Sequence, residues 1–249
     1  MLLFSRILNI KKSQARQMER RLERRYQPGR HFPLLATIDV EGEPRAAKVL
    51  DLSAHGAGLQ VSGPSYRLGL DAKLHLMLED TWMEFPCRVA HVKTLSAGCR
   101  LGLAAQFENF ATQKAYLQLL QPVALGSAMR PVPGEEIRQD EPELYKSAFT
   151  GLPGTELQVW RQGDPMGELV SFVCEFDEFV VRGDTSVGVL QIASRKQVPR
   201  LPSKLRPAVP RKLAGGLHEE VRLLFRWTML NLPKEVPGDI RTYLQGFVD

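Results

Sequence analysis

Hydrophobic and polar positions alternate with a period of two in short runs between Pro33 and Phe107. The runs are LLATIDV, RAAKVLDL, AGLQVS, KLHLMLE, WMEFPCRVAHVKTL and CRLGLAAQF, and turn-forming residues such as EGEP separate them. A period of two is typical of β-strands that are buried on one face. Six short strands with turns at regular intervals predict a small antiparallel β-barrel, so we expect a mainly β fold class.

Segments on either side of these runs lack the alternation and favour helices. Residues 13–25 contain neither Gly nor Pro, which predicts a polar, basic helix that ends near YQPG. The segment ATQKAYLQLLQP places Tyr116, Leu119 and Leu120 on one apolar face, and Pro122 is expected to end this helix. The N-terminal MLLFSRILNIKK is interpreted either as a docked or frayed terminus or as the start of an amphipathic helix that packs on this protein, on a partner or on a membrane surface.

The chain is long enough for two domains, and its composition changes after the barrel. Residues 121–140, QPVALGSAMRPVPGEEIRQD, are rich in Pro, Gly and polar residues, which predicts a linker. We therefore expect a basic helix or arm at 1–25, the barrel with its closing helix at 26–121, a linker at 122–140 and a second, small α+β domain at 141–249.

The second domain is predicted to contain four strands followed by two helices. The strands are ELQVWRQ, GELVSFVCEF, EFVVRG and SVGVLQIAS, and the helices are LHEEVRLLFRWTMLNL and PGDIRTYLQGFV. We expect Trp160 and Trp227 in its core and a role in output or dimerisation. Residues 195–212, RKQVPRLPSKLRPAVPRK, have seven basic residues and four prolines, which predicts a solvated loop, with an anion or partner site as the alternative.

Composition excludes several classes of protein. A hydrophobic content of 43% and a charged content of 24% are those of an ordinary globular protein. The three cysteines form no CxxC pair, which favours structural thiols in a reducing cytoplasm. The sequence shows no metal-ligand spacing among its histidines, no GxSxG and no Walker loop, so we expect no enzyme, no metal and no cofactor. No run approaches the ~18 apolar residues of a membrane span.

Positive charge is concentrated at the N-terminus. Residues 1–30 hold nine Lys and Arg against Glu19 and Glu23, a net charge of +7, whereas the whole chain carries only +5. The protein is therefore not generally basic, and this one segment is where we expect an anion to bind.

The stretch DLSAHG at residues 51–56 brings together an acid, a hydroxyl and a glycine. Asp51 and Ser53 are two apart, so on an extended chain they face the same side, and Gly56 allows close approach to the backbone. Aspartate accepts hydrogen bonds from the edge of guanine, serine donates to phosphate, and arginine both chelates phosphate and stacks on a purine. Together with the upstream arginines, this combination suits a compact guanine nucleotide.

An arginine pair, a D-x-S-x-x-G turn, six short strands and the closing LGLAAQFENFATQKAYLQLL resemble a PilZ domain, the bacterial receptor module for cyclic di-GMP. The resemblance covers residues 20–121 and places the turn motif at Asp51, Ser53 and Gly56. It implies that these residues bind cyclic di-GMP together with the arginines.

The arginine pair has two alternative assignments. Arg21 and Arg25 match R-x-x-x-R literally, with 25 residues between Arg25 and Asp51. Arg30 stands at the more usual distance from the first strand, and RYQPGR could be the pair with one residue inserted. Arg25 belongs to the pair in either case, and Arg24 is expected as a further phosphate contact.

The resemblance implies a cytoplasmic receptor that changes conformation on binding cyclic di-GMP and regulates a protein partner in motility, exopolysaccharide or biofilm control. A homodimer is a further expectation. The alternative is a degenerate PilZ adaptor that binds proteins without a nucleotide. A nucleic-acid binder ranks third, because a phosphate-driven site has no need of DLSAHG. We therefore expect no specific nucleic acid as a partner.

Overall fold

The six alternating runs form six strands, because alternate apolar side chains find a common interior when the sheet closes on itself. In the computed structural model, which describes residues 4–8, 10–63, 66–176, 178–194 and 215–248, these strands form a closed antiparallel barrel in the order β1-β2-β3-β6-β5-β4. Their bounds are β1 (Leu34–Val40), β2 (Glu43–Ser53), β3 (Gly56–Val61), β4 (Asp71–Leu78), β5 (Thr81–Leu95) and β6 (Gly98–Ala105). Fully buried side chains such as Ile38, Leu59 and Leu74 fill the interior. The predicted mainly β fold class is confirmed.

The N-terminal residues pack on the barrel unit but form a shorter helix than predicted. Helix α1 covers Lys12–Arg21 and ends at Leu22, so the predicted helical end at residue 25 was wrong. Leu22 is fully buried, and its carbonyl accepts a hydrogen bond from the Ala54 backbone instead of continuing the helix. Residues 5–8 form bends rather than a helix, although Phe4 and Ile7 are buried.

Helix α2 (Phe110–Ser127) continues through Pro122, so the prediction that proline ends it was wrong. A proline inside a helix removes one hydrogen bond and costs about 3 kcal/mol. Here Leu119, Leu120 and Val123 are completely buried on both sides of the proline. Burial of one such side chain contributes about 1.5–3 kcal/mol, so packing offsets the local cost.

The chain divides into two compact units, residues 1–124 and 125–249. In the second unit, the described residues contain a six-stranded antiparallel sheet in the order β12-β11-β10-β9-β8-β7, two α-helices and a short 3₁₀ helix (Gly134–Glu136). Its elements are β7 (Arg130–Pro131), β8 (Leu144–Thr150), β9 (Thr155–Gln162), β10 (Leu169–Phe176), β11 (Phe179–Asp184), β12 (Gln191–Ser194), α3 (Gly215–Leu230) and α4 (Gly238–Gln245).

Two strands of this sheet were not predicted. β7 lies within the Pro-rich stretch that predicted a linker, and β8 (LYKSAFT) lacks the apolar alternation that marked the other strands. Both are recognisable only from their backbone pairing, for example Pro131 with Phe149. The predicted class of a small α+β domain nevertheless holds for the second unit.

The core of the second unit contains one of the two predicted tryptophans. Trp227 on α3 is 2% exposed, and Phe172 on β10 stacks on Phe225 with ring centroids 5.4 Å apart. Trp160 is half-buried, because it lies opposite Ser171 on the other face of the sheet from the core residues Val159 and Phe172.

Three further features predicted from the sequence are a basic loop, structural cysteines and the absence of a membrane span. The basic stretch predicted as a loop, 195–212, lies outside the described residues. Cys87, Cys99 and Cys174 are all buried and free, and burial raises the pKa of the Cys87 thiol to about 12. Among the described residues, no helix has the length and apolar character needed to cross a membrane.

A glycine substitution tests the close packing within the second unit between Gly126, near the C-terminal end of α2, and the end of α3. A Cβ at Gly126 would lie 2.4 Å from the Thr228 carbonyl oxygen and 2.7 Å from the Asn231 Cβ. We expect Gly126→Ala to lower the free energy of unfolding by about 1–3 kcal/mol through overpacking, although alanine favours helix. Urea unfolding followed by circular dichroism measures this. Gly134→Ala is the matched control, because a Cβ there meets no atom within 4 Å; equal midpoints for the two variants would contradict the packing.

Candidate functional site

A short backbone ladder brings the arginine segment to the DLSAHG turn. The Tyr26 N–H donates to the Leu52 carbonyl (2.8 Å), and the Leu52 N–H donates to the Tyr26 carbonyl (2.9 Å). The Ala54 N–H donates to the Leu22 carbonyl at 2.8 Å. These bonds give partners to backbone N–H and carbonyl groups that burial would otherwise leave without any. They form between protein groups and do not involve a ligand. The segment around Arg25 is therefore held beside the turn.

Arg25 and Asp51 form the ionic contact of the site. The Arg25 Nη1 donates to the Asp51 Oδ1 at 2.5 Å, and the two side chains are 58% and 25% exposed. An exposed ion pair of this kind contributes at most about 1 kcal/mol to stability, so its main effect is to position the two side chains. The guanidinium keeps its other N–H donors for a further anion.

A β-bulge determines which way Asp51 faces. Val49 pairs with Leu59, and the next pair is Asp51 with Gly58, so Leu50 is the extra residue. Strict alternation would put Asp51 on the interior side with Val49, whereas the bulge turns it to the outer face. The bulge therefore places Asp51 on the surface, at a position that would otherwise face the barrel interior.

Gly58 provides the space for the Asp51 carboxylate. A Cβ at residue 58 would lie 2.7–2.8 Å from the carboxylate atoms of Asp51, so a side chain there would displace the acid. Gly58 was not among the site residues predicted from the sequence. A glycine inside a strand was the available signal, because it often marks a close approach.

Ser53 and Gly56 shape the turn from inside. Ser53 is 7% exposed, and its Oγ lies 3.5 Å from the Gly56 carbonyl oxygen, to which it donates. A Cβ at Gly56 would lie 1.8 Å from the Leu103 carbonyl oxygen, so the close approach that Gly56 permits is that of β6. Their role in binding a ligand stays a prediction; their role in the turn is visible.

Tyr116 on α2 locks the same turn. Its hydroxyl lies 3.0 Å from the Ser53 carbonyl oxygen and 2.8 Å from that of Gly56, and it can donate to either. Burial raises the pKa of this hydroxyl, and the nearby Asp51 carboxylate acts in the same direction, so it remains a donor. Apolar spacing predicted only that Tyr116 faces the core. The contact of its hydroxyl with the turn depends on tertiary structure.

The remaining arginines lie in different surroundings. Arg30 lines an open groove of about 820 Å³ that also includes Asp51, Lys48 and Arg100. Arg21 ends α1, and Arg24 is exposed in the segment that follows. Burial raises the pKa of the Tyr26 hydroxyl, while the charges of Arg24 and Arg21 oppose the rise, so both lie near Tyr26. The structure thus brings Arg25 onto Asp51 and Arg30 into the adjoining groove.

Comparison with known proteins identifies the barrel unit. Residues 19–121 match the family model of the PilZ domain, so the predicted PilZ domain is confirmed. No curated protein matches the chain.

Similar solved structures include PilZ-domain proteins. The PilZ domain of YcgR from Escherichia coli with c-di-GMP is 12% identical (TM-score 0.36) and the match covers 40% of this chain and 88% of that one. The PilZ domain of CeSA from a cellulose synthesizing bacterium is 14% identical (TM-score 0.33), with 39% and 94% covered. The PlzA protein of Borreliella burgdorferi in complex with c-di-GMP is 7% identical (TM-score 0.35), with 72% and 87% covered. At these scores the alignments add no detail to the domain match.

Removal of one hydroxyl tests the connection between α2 and the turn. Tyr116→Phe leaves the carbonyls of Ser53 and Gly56 without this donor, and we expect a loss of about 1–3 kcal/mol in the free energy of unfolding of the barrel unit. Thermal and urea unfolding measure it. Tyr145→Phe, in the second unit, is the matched control and should leave the barrel unchanged. Unfolding of Tyr116→Phe at the wild-type midpoint would show that the hydroxyl does not stabilise the turn.

Proposed function

We propose that this protein is a cyclic di-GMP receptor and not an enzyme, with its binding site between the arginine segment 21–30 and the Asp51 turn. The observation that supports this most is the Arg25–Asp51 pair, which the Tyr26–Leu52 backbone bonds hold in place within a PilZ domain. Two motifs of a single proposed site, 26 positions apart, are thereby in direct contact.

The chemistry of these groups suits a guanine nucleotide with phosphates. The Arg25 guanidinium uses one N–H on Asp51 and retains a planar fork that can chelate a phosphate. The Asp51 carboxylate has further lone pairs that can accept hydrogen bonds from the N–H groups of guanine. Arg30, Lys48 and Arg100 add positive charge around the groove that adjoins Asp51.

The change of conformation is proposed for the loop at residues 27–32, which follows the segment that is bonded to the turn. Residues 22–26 are already bonded to residues 52–54 through their backbones. Residues 27–32 contribute Gln27, Pro28, Gly29, Arg30 and Phe32 to the groove, so a ligand there contacts this loop directly. A ligand shifts the loop only by as much as it binds the two arrangements differently. We propose that this shift is what a protein partner senses, in the cytoplasm, in control of motility, exopolysaccharide or biofilm.

A second candidate function, an adaptor that binds a protein without a nucleotide, has one specific observation in its favour. Leu35 pairs with Met77, and Met77 pairs with Trp82, so the three form one row on the outer face of β1, β4 and β5. They are 60%, 43% and 63% exposed. Adjacent exposed apolar side chains mark protein interaction surfaces.

Calorimetric titration distinguishes the two functions. The purified protein is titrated with cyclic di-GMP, GTP and cyclic GMP at two salt concentrations. Saturable, guanine-selective binding of cyclic di-GMP at micromolar concentrations or below, with a mild salt dependence, is the expected result. Absence of heat for cyclic di-GMP overturns the receptor and leaves the adaptor, while a steep loss with salt and no base preference indicates a phosphate-driven binder.

Single substitutions then test the site. We expect Asp51→Ala to weaken binding at least tenfold, because a hydrogen bond to a charged group is worth about 1.5–3 kcal/mol and 1.4 kcal/mol is tenfold. Arg25→Ala should do the same, Arg21→Ala and Arg30→Ala identify its partner arginine, and Arg24→Ala tests the further phosphate contact. Arg138→Ala, an exposed arginine of the second unit, is the control and should bind normally. Wild-type affinity in Asp51→Ala would exclude the site.

A further inference from the structure

One row of residues crosses the outer face of the barrel from Asp51 to a histidine. Asp51 on β2 pairs with Gly58 on β3, Gly58 pairs with Gly102 on β6, and Gly102 pairs with His91 on β5. His91 is exposed. Neighbouring strands are about 4.8 Å apart, so the three steps separate the backbones of Asp51 and His91 by roughly 14 Å.

A second bulge turns His91 outward, as the first does for Asp51. On β5, Val89 pairs with Leu103, and the next pair is His91 with Gly102, so Ala90 is the extra residue. Without it, His91 would share the interior side with Val89. Two bulges on strands that are not neighbours therefore bring the two polar side chains to the ends of one row. Bulges that re-aim a side chain are frequent beside functional sites.

The two residues between these ends are glycines, so bare backbone forms the surface between Asp51 and His91. The adjacent outer row, by contrast, carries the long side chains Lys48, Gln60, Arg100 and Lys93, which pair across the same four strands and are all exposed. A planar base can lie against glycine backbone. The three cations of the adjacent row lie alongside, where phosphates of the same ligand would be attracted.

We infer that His91 contacts the nucleotide, stacking on a base that lies over Gly58 and Gly102 at the end of the row opposite Asp51. This inference rests on the proposed function and extends that site by one side chain. Histidine rings are among the aromatic groups that stack on nucleobases, and one stacked base typically contributes about 1–3 kcal/mol. The two ends of the row then serve different purposes: Asp51 reads the edge of a base and His91 covers the face of a base.

Histidine substitutions measured by calorimetry test the inference. His91→Ala should weaken cyclic di-GMP binding about tenfold with an unchanged unfolding midpoint, and His91→Phe should restore most of the affinity because a ring is again present. His75→Ala is the matched control: His75 lies on β4 beside Glu84, with 3.2 Å between Nδ1 and the carboxylate, and its loss should leave binding unchanged. Gly102→Ala provides a second variant, since its methyl group would project from the glycine surface on which the base is proposed to lie, 3.1 Å from the His91 Cβ. We expect it to weaken binding as well.

The outcomes separate this inference from the function on which it rests. If the wild type binds cyclic di-GMP and both His91→Ala and Gly102→Ala bind equally well, the contact is excluded while the receptor stands. If the wild type does not bind, both proposals are overturned. A loss of affinity in His91→Ala that His91→Phe does not restore would exclude stacking as the contact.

Discussion

The backbone hydrogen bonds between Tyr26 and Leu52 are the interaction on which the site depends. They hold a basic N-terminal segment, which its own charge would keep in solvent, beside the end of β2. The Arg25–Asp51 ion pair is too exposed to hold that segment alone, since such pairs contribute little. Buried Leu22 and Tyr26 supply the apolar contact, and the backbone bonds set the register. The ion pair follows from this register.

The closed barrel imposes a second constraint, because every strand position faces either the interior or the surface. A polar side chain at a strand position that would face the interior reaches the surface only where the alternation is interrupted. The bulges at Leu50 and Ala90 are the points where the chain does so, and they lie directly before Asp51 and His91. A barrel without them would bury both groups at a cost of several kcal/mol each, or lose register. The placement of chemistry on this surface is thus a property of the backbone.

The sequence predicted structural features that depend on the local pattern of residues. It did not predict features that depend on a residue far away in the chain. Period-two alternation was enough to predict six strands and a barrel, and the spacing of DLSAHG made Asp51 a candidate binding residue. The end of α1 at Leu22 was missed, because the competing interaction is with Ala54, more than thirty positions away. Gly58 and the Tyr116 hydroxyl were missed for the same reason: each is defined by a neighbour in another element.

Helix α2 connects the turn to the N-terminal residues. Tyr116 bonds the carbonyls of Ser53 and Gly56, and two positions later the buried Gln118 side chain accepts from the Phe4 N–H and donates to the Phe4 carbonyl at 2.6 Å. Residues two apart point to different sides of a helix. The helix is therefore held between the turn and the N-terminal segment by buried polar groups on both sides, whose loss of partners is costly. A displacement of the turn has to be absorbed either by the Tyr116 bonds or by movement of α2 together with Phe4.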